Sequence, residues 1–383
     1  MTTVVKIDTN ALRDFRRIET AATIQTLTTE CPMDISGRSI WQHAAGDTDR
    51  DYSKLCLDWD VILNGPGNAG PWPDCRTALS SDGLKPRKLT DLRRFSEEIK
   101  DGDFVVLRLG TSTVFGFGQI VGDYEWRDEF GDVDGWDLQH VRRVRWLWRG
   151  ENSPKQFDTY ALKQGDTTQK LNSGPVMDWV SNLTVPENVI NRPLIALPGG
   201  ASQTETQLND ISEYLFDRGV ASASITNLLA EMGELVRIAK WYQRSAKPSE
   251  HETVAYLVVP LLRGLGWTPQ RMAVEWHHVD LALFERLPRS DHSLQVVVEA
   301  KKMENSCLSA MSQAMTYSKG KLACHRLIVT DGLRYGVYVR RELEPFKLYA
   351  YMNLTRLRTA YPVYACEGVK EALLAMTPEW RFS

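Results

Sequence analysis

The stretch Val296-Val-Val-Glu-Ala-Lys-Lys302 decides the fold of the C-terminal half, because it reads as a buried strand that carries charge. A second strand of this kind, Val279-Asp-Leu-Ala-Leu-Phe284, comes before it. A carboxylate on an apolar strand is unfavourable unless it is paired or binds a metal, so Asp280 and Glu299 require a partner. Residues two apart in a strand share a face, which predicts that Glu299 and Lys301 point to the same side.

Pairing of these two strands would bring Asp280 and Glu299 face to face. Two carboxylates and a nearby backbone carbonyl are oxygen ligands that suit Mg²⁺ or Mn²⁺. Lys301 beside such a metal would position or deprotonate a water, or stabilise charge on a phosphate. The alternative interpretation of the same residues is a structural ion pair between the carboxylates and Lys301.

The neighbouring sequence predicts an α/β arrangement for the last domain, residues 246–383. Helical spacing and apolar runs predict helices over 250–264 and 307–319, and strands over 272–276, 279–284, 294–300, 326–330 and 335–340. A crossover helix between two of these strands is typical of a central mixed sheet.

A third motif, Gln313-Ala-Met-Thr-Tyr317, follows on the predicted crossover helix. Its Gln and Tyr are four residues apart and therefore share one helix face. Together with Asp280 and Glu299-Ala-Lys301, this pattern resembles the PD-(D/E)xK nuclease superfamily in its Q-x-x-x-Y branch. That branch includes the N-terminal nuclease domains of type I restriction enzyme R subunits. The later Thr330-Asp-Gly332 is similar to that family's Thr-Asn-Gly turn, whereas Val279 stands where proline is usual.

The resemblance implies a catalytic set of Glu250, Asp280, Glu299, Lys301, Gln313 and Tyr317. Asp280 and Glu299 would bind Mg²⁺ (or Mn²⁺), Lys301 would orient or activate water, and Gln313 and Tyr317 would hold the site and a nearby phosphate. The acid of the first helix is placed at Glu250 by register with Pro260 and Gly266, and Glu252 is the rival.

A different, β-rich domain is predicted over residues 39–150, which hold seven of the twelve tryptophans. Strand-like runs alternate there with Gly, Asp and Asn clusters. Gly116 and Gly118, two apart in a strand, predict a bulge or a close backbone approach. The glycine-rich run 65–70 lacks the ending of a phosphate loop and predicts a surface turn. The acidic run 128–137 predicts a solvated hairpin tip rather than a metal site.

The runs Trp59-Asp-Val-Ile-Leu-Asn-Gly65 and Asp101-Gly-Asp-Phe-Val-Val-Leu-Arg-Leu-Gly110 are similar to EVE and PUA-like domains. The resemblance implies a small β-barrel-like module that holds a flipped, modified base in an aromatic pocket. Such a base needs a ring to stack on and polar groups at its edge. The aromatic candidates are Trp41, Trp59, Tyr124, Trp126 and Trp136. Core packing is the alternative for most of them, and it is preferred for Trp146 and Trp148.

The rest of the chain is predicted to be an N-terminal lead-in over residues 1–38 and a connector over 151–245 that is largely helical after 204. The predicted fold class is therefore α+β and multidomain. It combines a β-barrel-like EVE/PUA-type domain, a helical linker and an α/β restriction-endonuclease-like domain with a central mixed sheet.

The composition is that of an ordinary globular protein, with 383 residues of which 43% are hydrophobic and 25% are charged. The longest apolar stretch, 255–262, is well short of the ~18 residues that a membrane span requires. Six cysteines without a C-x-x-C pair argue against a zinc ribbon and a disulfide framework, and favour a reducing, cytoplasmic location. Residues 246–383 carry 18 Lys and Arg against 14 Asp and Glu, which permits nucleic-acid binding.

The functional expectation is a metal-dependent DNA endonuclease of a restriction or anti-phage type, directed to modified DNA, for which modified cytosine is the candidate base. Duplex cleavage by a single-site nuclease needs two active sites, so a homodimer is expected. Two alternatives stay open at this point. One is a nucleic-acid-binding sensor whose nuclease-like fold serves for docking, and the other is an RNA-directed nuclease, because the 2′-hydroxyl contacts that separate RNA from DNA are not readable from sequence.

Overall fold

The computed structural model describes residues 30–47, 49–199, 204–341 and 344–381. Over these ranges the chain is an α+β protein with one large sheet in each half. None of the described helices has both the length and the apolar character needed to cross a membrane.

The first half contains nine described strands: β1 (Glu30–Pro32), β2 (Ile40–Ala44), β3 (Val61–Asn64), β4 (Phe104–Leu109), β5 (Thr113–Trp126), β6 (His140–Arg149), β7 (Lys155–Gln156), β8 (Thr168–Lys170) and β9 (Thr184–Pro186). Seven of them form one sheet in the order β3-β6-β5-β4-β2-β8, with β7 paired to β5. Strands β2 and β4 are parallel and the other pairs are antiparallel. Strands β1 and β9 form a separate antiparallel pair.

Short helices connect these strands: α1 (Ser53–Asp58), α2 (Arg76–Ser81), α3 (Pro86–Arg93), α4 (Pro175–Ser181) and α5 (Glu187–Ile190). Helix α3 begins with proline, whose fixed φ and missing N–H suit the first helical position. It continues into a π turn over Arg94–Glu98.

The long strand β5 bends where its glycines allow a close approach to β6. A Cβ added at Gly118 would lie 2.6 Å from Val144 Cγ1 and 2.7 Å from Arg145 O, and one at Gly116 would lie 2.9 Å from the Trp146 ring. The register between β5 and β6 shifts beside Gly118. The predicted bulge and close approach are therefore confirmed, as is the packing role of Trp146, which is buried.

The second half contains eight described strands: β10 (Met272–Trp276), β11 (Val279–Phe284), β12 (Leu294–Ala300), β13 (Arg326–Thr330), β14 (Arg334–Val339), β15 (Lys347–Asn353), β16 (Ala360–Tyr361) and β17 (Cys366–Glu367). Its helices are α6 (Leu208–Asp217), α7 (Ser222–Arg244), α8 (Glu250–Thr253), α9 (Val259–Gly264), α10 (Met311–Ser318) and α11 (Val369–Ala375). The strands form one mixed sheet in the order β10-β11-β12-β13-β14-β15-β17-β16.

Helices cover both faces of this second sheet. Leu281 and Val298 pack with α6, α7, α9 and α11 on one face, whereas Ala282 and Val297 pack with α10 on the other. Strands β12 and β13 are parallel, and the connection between them runs through α10. Because Asp280 and Glu299 alternate with residues of the first face, the pleat directs them to the α10 face.

The segment predicted as a connector, 151–245, is divided between the two halves. Strands β7 and β8 belong to the first sheet. Helices α6 and α7 contribute Ile211, Leu215 and Leu235 to the core of the second half. The first unit thus extends past the predicted boundary at 150, and the helical part of the connector is integral to the second unit.

The acidic run 128–137 is a hairpin, but the prediction of a solvated tip is wrong. Asp132 and Asp134 are 3% and 6% exposed, at the junction of the two halves. Asn353 Nδ2 donates to Asp132 Oδ2 over 2.8 Å, and Arg356 binds both carboxylate oxygens of Asp137 at 2.5 and 3.1 Å. These partners come from the second half, more than 200 residues away, and they compensate the burial of the acidic side chains.

Candidate functional site

Strand pairing brings the two predicted metal ligands together at the end of β11 and β12. The antiparallel register pairs Leu281 with Val298, so the next step places Asp280 opposite Glu299. Asp280 Oδ2 accepts a hydrogen bond from the backbone N–H of Ala300 over 2.8 Å. That bond fixes the Asp280 carboxylate against the end of the strand that carries Glu299.

Glu299 is fully buried, and neither of its carboxylate oxygens has a hydrogen-bond donor within reach. Lys301 Nζ lies 3.6 Å from Oε1, beyond hydrogen-bonding distance. Burial first, and then the charge of Asp280, raise the pKa of Glu299 to about 8, while Lys301 opposes the rise. A buried carboxylate whose two oxygens accept no hydrogen bond is unfavourable in a core, and it is suited to binding a cation.

Lys301, Gln313 and Tyr317 form a continuous hydrogen-bonded chain beside the carboxylates. Lys301 Nζ donates to Gln313 Oε1 over 3.0 Å, and Gln313 Nε2 donates to Tyr317 Oη over 3.2 Å. The last two residues lie one turn apart on α10, as their spacing predicts. Gln313 is exposed, whereas Glu299 lies at the bottom of the site. The five residues therefore lie together, from the buried Glu299 to the exposed Gln313.

The two candidate acids of the first helix have different surroundings. Ser249 and Glu252 form a capping box, in which Glu252 Oε2 accepts from the Ser249 N–H over 2.8 Å and Ser249 Oγ accepts from the Glu252 N–H over 3.2 Å. The charge of Glu250 instead makes a small contribution to the rise in the pKa of Glu299. Of the two, Glu252 is held in the helix cap, and Glu250 is the one whose charge acts on Glu299.

The donor set fits a hard divalent cation rather than zinc. Asp280 and Glu299 supply carboxylate oxygens, and the backbone carbonyl of Ala300 lies between Glu299 and Lys301 in the chain. Across the described residues no group of three or more His, Cys, Asp and Glu side chains is arranged to hold a metal. Mg²⁺ keeps several waters and is commonly bound by one or two carboxylates together with substrate phosphate, so two carboxylates are sufficient.

The five aromatic residues predicted to bind a base do not form one pocket. Trp41 is fully buried and its Nε1 donates to Asp103 Oδ2 over 2.9 Å, so the prediction for this residue is wrong and it belongs to the core. Trp59 Nε1 donates to Val363 O over 2.9 Å, which places it at the junction of the two halves. The fully buried Trp41 ring has no face on which a base can stack, whereas Trp59 is half-buried.

Tyr124 and Trp126 also use their polar atoms inside the protein. The Tyr124 hydroxyl hydrogen bonds with His140 Nδ1 at 2.7 Å and accepts from the Trp72 N–H over 3.0 Å. Trp126 Nε1 donates to Gly67 O over 2.9 Å. Burial raises the pKa of Tyr124 to about 12. Both side chains are half-buried structural members of the first half.

Trp59 lines an open pocket of about 630 Å³ between the two halves. Trp136 lines another, of about 400 Å³, within the first half. That volume lies within the range of small-molecule sites, roughly 300–1,000 Å³. The pocket is lined by Tyr52, Asn64, Gly65, Pro66, Lys88, Gly135, Trp136, Asp137, Leu138 and Thr167. The Tyr52 ring lies 6.0 Å from that of Trp136, nearly perpendicular to it, and the Arg50 guanidinium lies 4.4 Å from the Trp136 ring centroid.

A polar network forms one wall of this pocket. Lys88 Nζ donates to Asn64 Oδ1, Asp91 Oδ2 and Thr167 Oγ1 over 2.7, 2.9 and 2.9 Å. Burial would raise the pKa of Asp91, but Lys88 and further hydrogen bonds outweigh it and lower that pKa. The pocket thus offers aromatic rings and fixed polar groups together.

Sequence reasoning did not find Tyr52, Asn64, Lys88 or Thr167, which come from separate parts of the chain. One signal was present, because Asn64 ends an apolar strand and precedes the glycine-rich run 65–70. That run is not a simple surface turn: Gly65 is buried, and with Pro66 it lines the pocket.

A family model described as a domain of unknown function (DUF8426) matches residues 41–170. The matched range begins in β2 and ends with β8, so it spans the first sheet and includes the pocket beside Trp136. Neither the search of curated proteins nor the search of solved structures gave a match.

Proposed function

We propose that the site at Asp280 and Glu299 is a metal-dependent phosphodiesterase centre of the PD-(D/E)xK type. The observation that carries the proposal is Glu299, a fully buried carboxylate with no hydrogen-bond donor on either oxygen. It lies opposite Asp280 and beside Lys301, whose ammonium group donates to Gln313. The chain would act as a DNA endonuclease of a restriction or anti-phage type in the cytoplasm.

The structural ion pair, which is the alternative interpretation, accounts less well for these contacts. A salt bridge that served stability would direct the Lys301 donors at Glu299, yet the hydrogen bond of Lys301 goes to Gln313 and the distance to Glu299 is 3.6 Å. Two carboxylates beside one lysine also leave a net negative charge in a partly buried place. Replacing such a charge by apolar residues would usually stabilise a fold, so its presence favours a binding role.

Each residue then has a distinct part in phosphodiester hydrolysis. Asp280 and Glu299 would hold Mg²⁺ or Mn²⁺, which when bound supplies positive charge for the phosphate and increases the acidity of a coordinated water. Lys301, held by Gln313, would orient the attacking water or stabilise charge that develops on the phosphate oxygens. Tyr317 would fix Gln313, and Glu250 would complete the water network around the carboxylates.

The first half is proposed to recognise a base, as its EVE and PUA-like resemblance implies. The pocket at Trp136 is the part that supports this role, because it combines aromatic rings with the network around Lys88. A flipped cytosine with a modified ring carbon would stack on an aromatic side chain and present its edge to polar groups. We propose a second copy of the chain as partner on DNA, since cutting both strands requires two active sites.

The experiment that tests the proposed function is cleavage of matched duplexes carrying plain, methylated or hydroxymethylated cytosine, with Mg²⁺ or with EDTA. We expect cutting in Mg²⁺ and none in EDTA, and we expect a modified duplex to be cut in preference to the plain one. Replacing Trp136 by alanine should weaken binding to the preferred duplex about 5- to 100-fold, because base stacking on an aromatic side chain contributes roughly 1–3 kcal/mol.

Trp126→Ala is the matched control, because this tryptophan is also half-buried but lies outside the pocket. It should leave the preference among duplexes unchanged. Cutting that persists in EDTA would refute the metal-dependent centre. An equal loss of preference in both tryptophan variants would refute the assignment of the pocket.

A further inference from the structure

The hairpin that carries Trp136 ends in a tight turn whose two central residues are left-handed. Asp134 has φ +48° and Gly135 has φ +89°. The Trp136 N–H donates to Val133 O over 3.0 Å, and the Val133 N–H donates to Trp136 O over 2.8 Å. An Asp-Gly pair with both φ angles positive is the pattern of a type I′ hairpin turn. The turn is therefore a stiff, well-defined unit, and it points into the second half.

Asp134 receives four hydrogen bonds from the segment that follows the strand of Glu299 and Lys301, the longest of them from the Leu308 N–H to Oδ1 over 3.5 Å. The Ser306 hydroxyl donates to Oδ2, and the Cys307 N–H and Sγ donate to Oδ1 over 3.1 and 3.3 Å. These donors lie within seven residues of Lys301 in the sequence. A buried carboxylate from the first half thus holds the chain just beyond the catalytic strand.

Gly135 leaves the space that Arg334 occupies. A Cβ added at Gly135 would lie 1.0 Å from Arg334 Nη1, so no other residue fits there without displacing the guanidinium. Arg334 Nη1 donates to the Asp134 carbonyl over 3.2 Å, and its other nitrogens bind Asp331. Asp331 Oδ2 in turn accepts from the Glu304 N–H over 3.0 Å. The same turn is therefore bound to the active-site segment from a second direction.

Trp136 joins this arrangement to the pocket. Arg50 lies over its ring and donates from Nη2 to the Glu304 carbonyl over 3.0 Å. Trp136, Arg50 and Glu304 thus connect the pocket wall to the segment that Asp134 holds at Ser306 and Cys307. A base that stacked against Trp136 would therefore contact the residue whose ring packs on Arg50, and Arg50 in turn holds Glu304 within residues 301–307.

We propose that Asp134 is a positioning residue of the nuclease site, through which occupation of the Trp136 pocket sets the rate of cleavage. The turn holds residues 301–307, and with them the Lys301 side chain, in the arrangement that hydrolysis requires. A ligand in the pocket strengthens this hold. The inference rests on the proposed function and names its regulation.

The test compares Asp134→Asn with Asp128→Asn on the same hairpin. Asparagine tolerates the left-handed conformation, so the turn is retained while the carboxylate is lost. Asp128 is half-exposed, with Arg358 Nη2 at 3.7 Å from its carboxylate. In the free proteins, amide exchange of residues 301–307 should be about fivefold faster in Asp134→Asn and unchanged in Asp128→Asn, because local protection follows local contacts.

In cleavage assays on the preferred duplex, Asp134→Asn should lower kcat about tenfold and leave KM within about twofold, a size typical of coupling through contacts. Ser306→Ala removes the hydrogen bond between Ser306 and Asp134 from the Ser306 side. The kcat of the double variant should therefore be no lower than that of either single variant. Exchange and kcat equal to those of Asp128→Asn would overturn the inference. If no duplex is cut by the wild type but exchange at 301–307 still rises in Asp134→Asn, the positioning role stands and the nuclease proposal fails.

Discussion

Replacing Lys301 by alanine should reduce Mg²⁺-dependent cleavage about 100- to 1,000-fold, the usual loss when one group that stabilises transition-state charge is removed. The ammonium group lies 3.6 Å from Glu299 Oε1 and donates to Gln313 Oε1, so its loss removes the positive charge beside the two carboxylates. The side chain is partly exposed, and the fold should tolerate its loss. Single-turnover cleavage rates with saturating Mg²⁺ measure the effect.

Lys302→Ala is the matched control, because the neighbouring lysine is exposed and bears the same charge. Its cleavage rate should stay within about threefold of wild type, as expected for a substitution away from the chemistry. Cleavage by Lys301→Ala within tenfold of wild type would contradict the catalytic role of this lysine. Equal losses in both variants would indicate general attraction of the nucleic acid instead.

Replacing Glu299 by glutamine should make the metal-free protein more stable while removing its activity. Burial and Asp280 raise the pKa of Glu299 from an ordinary value of 4.5 to about 8. Between these values the folded state keeps a proton that the unfolded state has released, so wild-type stability falls as pH rises through this window. Glutamine has no proton to lose. The free energy of unfolding of Glu299→Gln should equal that of wild type at pH 4.5. It should be larger by on the order of a few kcal/mol at pH 8 and above.

Urea unfolding in EDTA at pH 5, 6.5 and 8 measures this difference. Glu234→Gln serves as the control, since Glu234 is half-exposed on α7 and paired only with Arg237 in its own helix. It should change the free energy of unfolding by less than about 0.5 kcal/mol at each pH. A Glu299→Gln protein that is less stable than wild type at pH 8 would mean that the carboxylate stabilises the fold, as in a structural ion pair.

The fold of the second half was largely predictable from sequence because its signals are local. Strands β10 to β13 have the predicted bounds, since each is a short apolar run closed by turn residues. The pairing of β11 with β12 across a short loop then fixes Asp280 opposite Glu299, and the i, i+4 spacing fixes Gln313 above Tyr317. Charge inside an apolar strand is explained equally by a structural ion pair, so it was the combination with Gln313 and Tyr317 that indicated a site.

The pocket and the junction between the halves could not be predicted in this way. The contacts of Lys88 with Asn64 and Thr167 form because β3, α3 and the loop before β8 pack together. The spacing of these residues in the sequence does not predict such contacts. Trp41 and Trp136 both belong to the tryptophan-rich segment 39–150, and the sequence does not distinguish them. In the structure Trp41 lies in the core and Trp136 lines the pocket. Burial of an aromatic ring is set by tertiary packing.

The burial of the acidic hairpin 128–137 is also set by tertiary packing that the sequence does not reveal. A run of aspartates predicts solvent exposure, and only the distant partners of Asp132 and Asp134 reverse that expectation. The Asp-Gly pair within it does encode a hairpin turn by itself. What the sequence omits is the surface on which the turn packs.

Titration with Mn²⁺ by isothermal calorimetry, comparing wild type with Asp280→Asn and Glu299→Gln, is the most direct test of the metal centre. Mn²⁺ is a spectroscopically accessible ion that accepts the same oxygen ligands as Mg²⁺. The proposed site predicts one Mn²⁺ bound by the wild type at pH 8 and at least a tenfold weaker affinity in each variant. Equal Mn²⁺ binding by all three proteins, or none by the wild type in the presence of duplex, would contradict it.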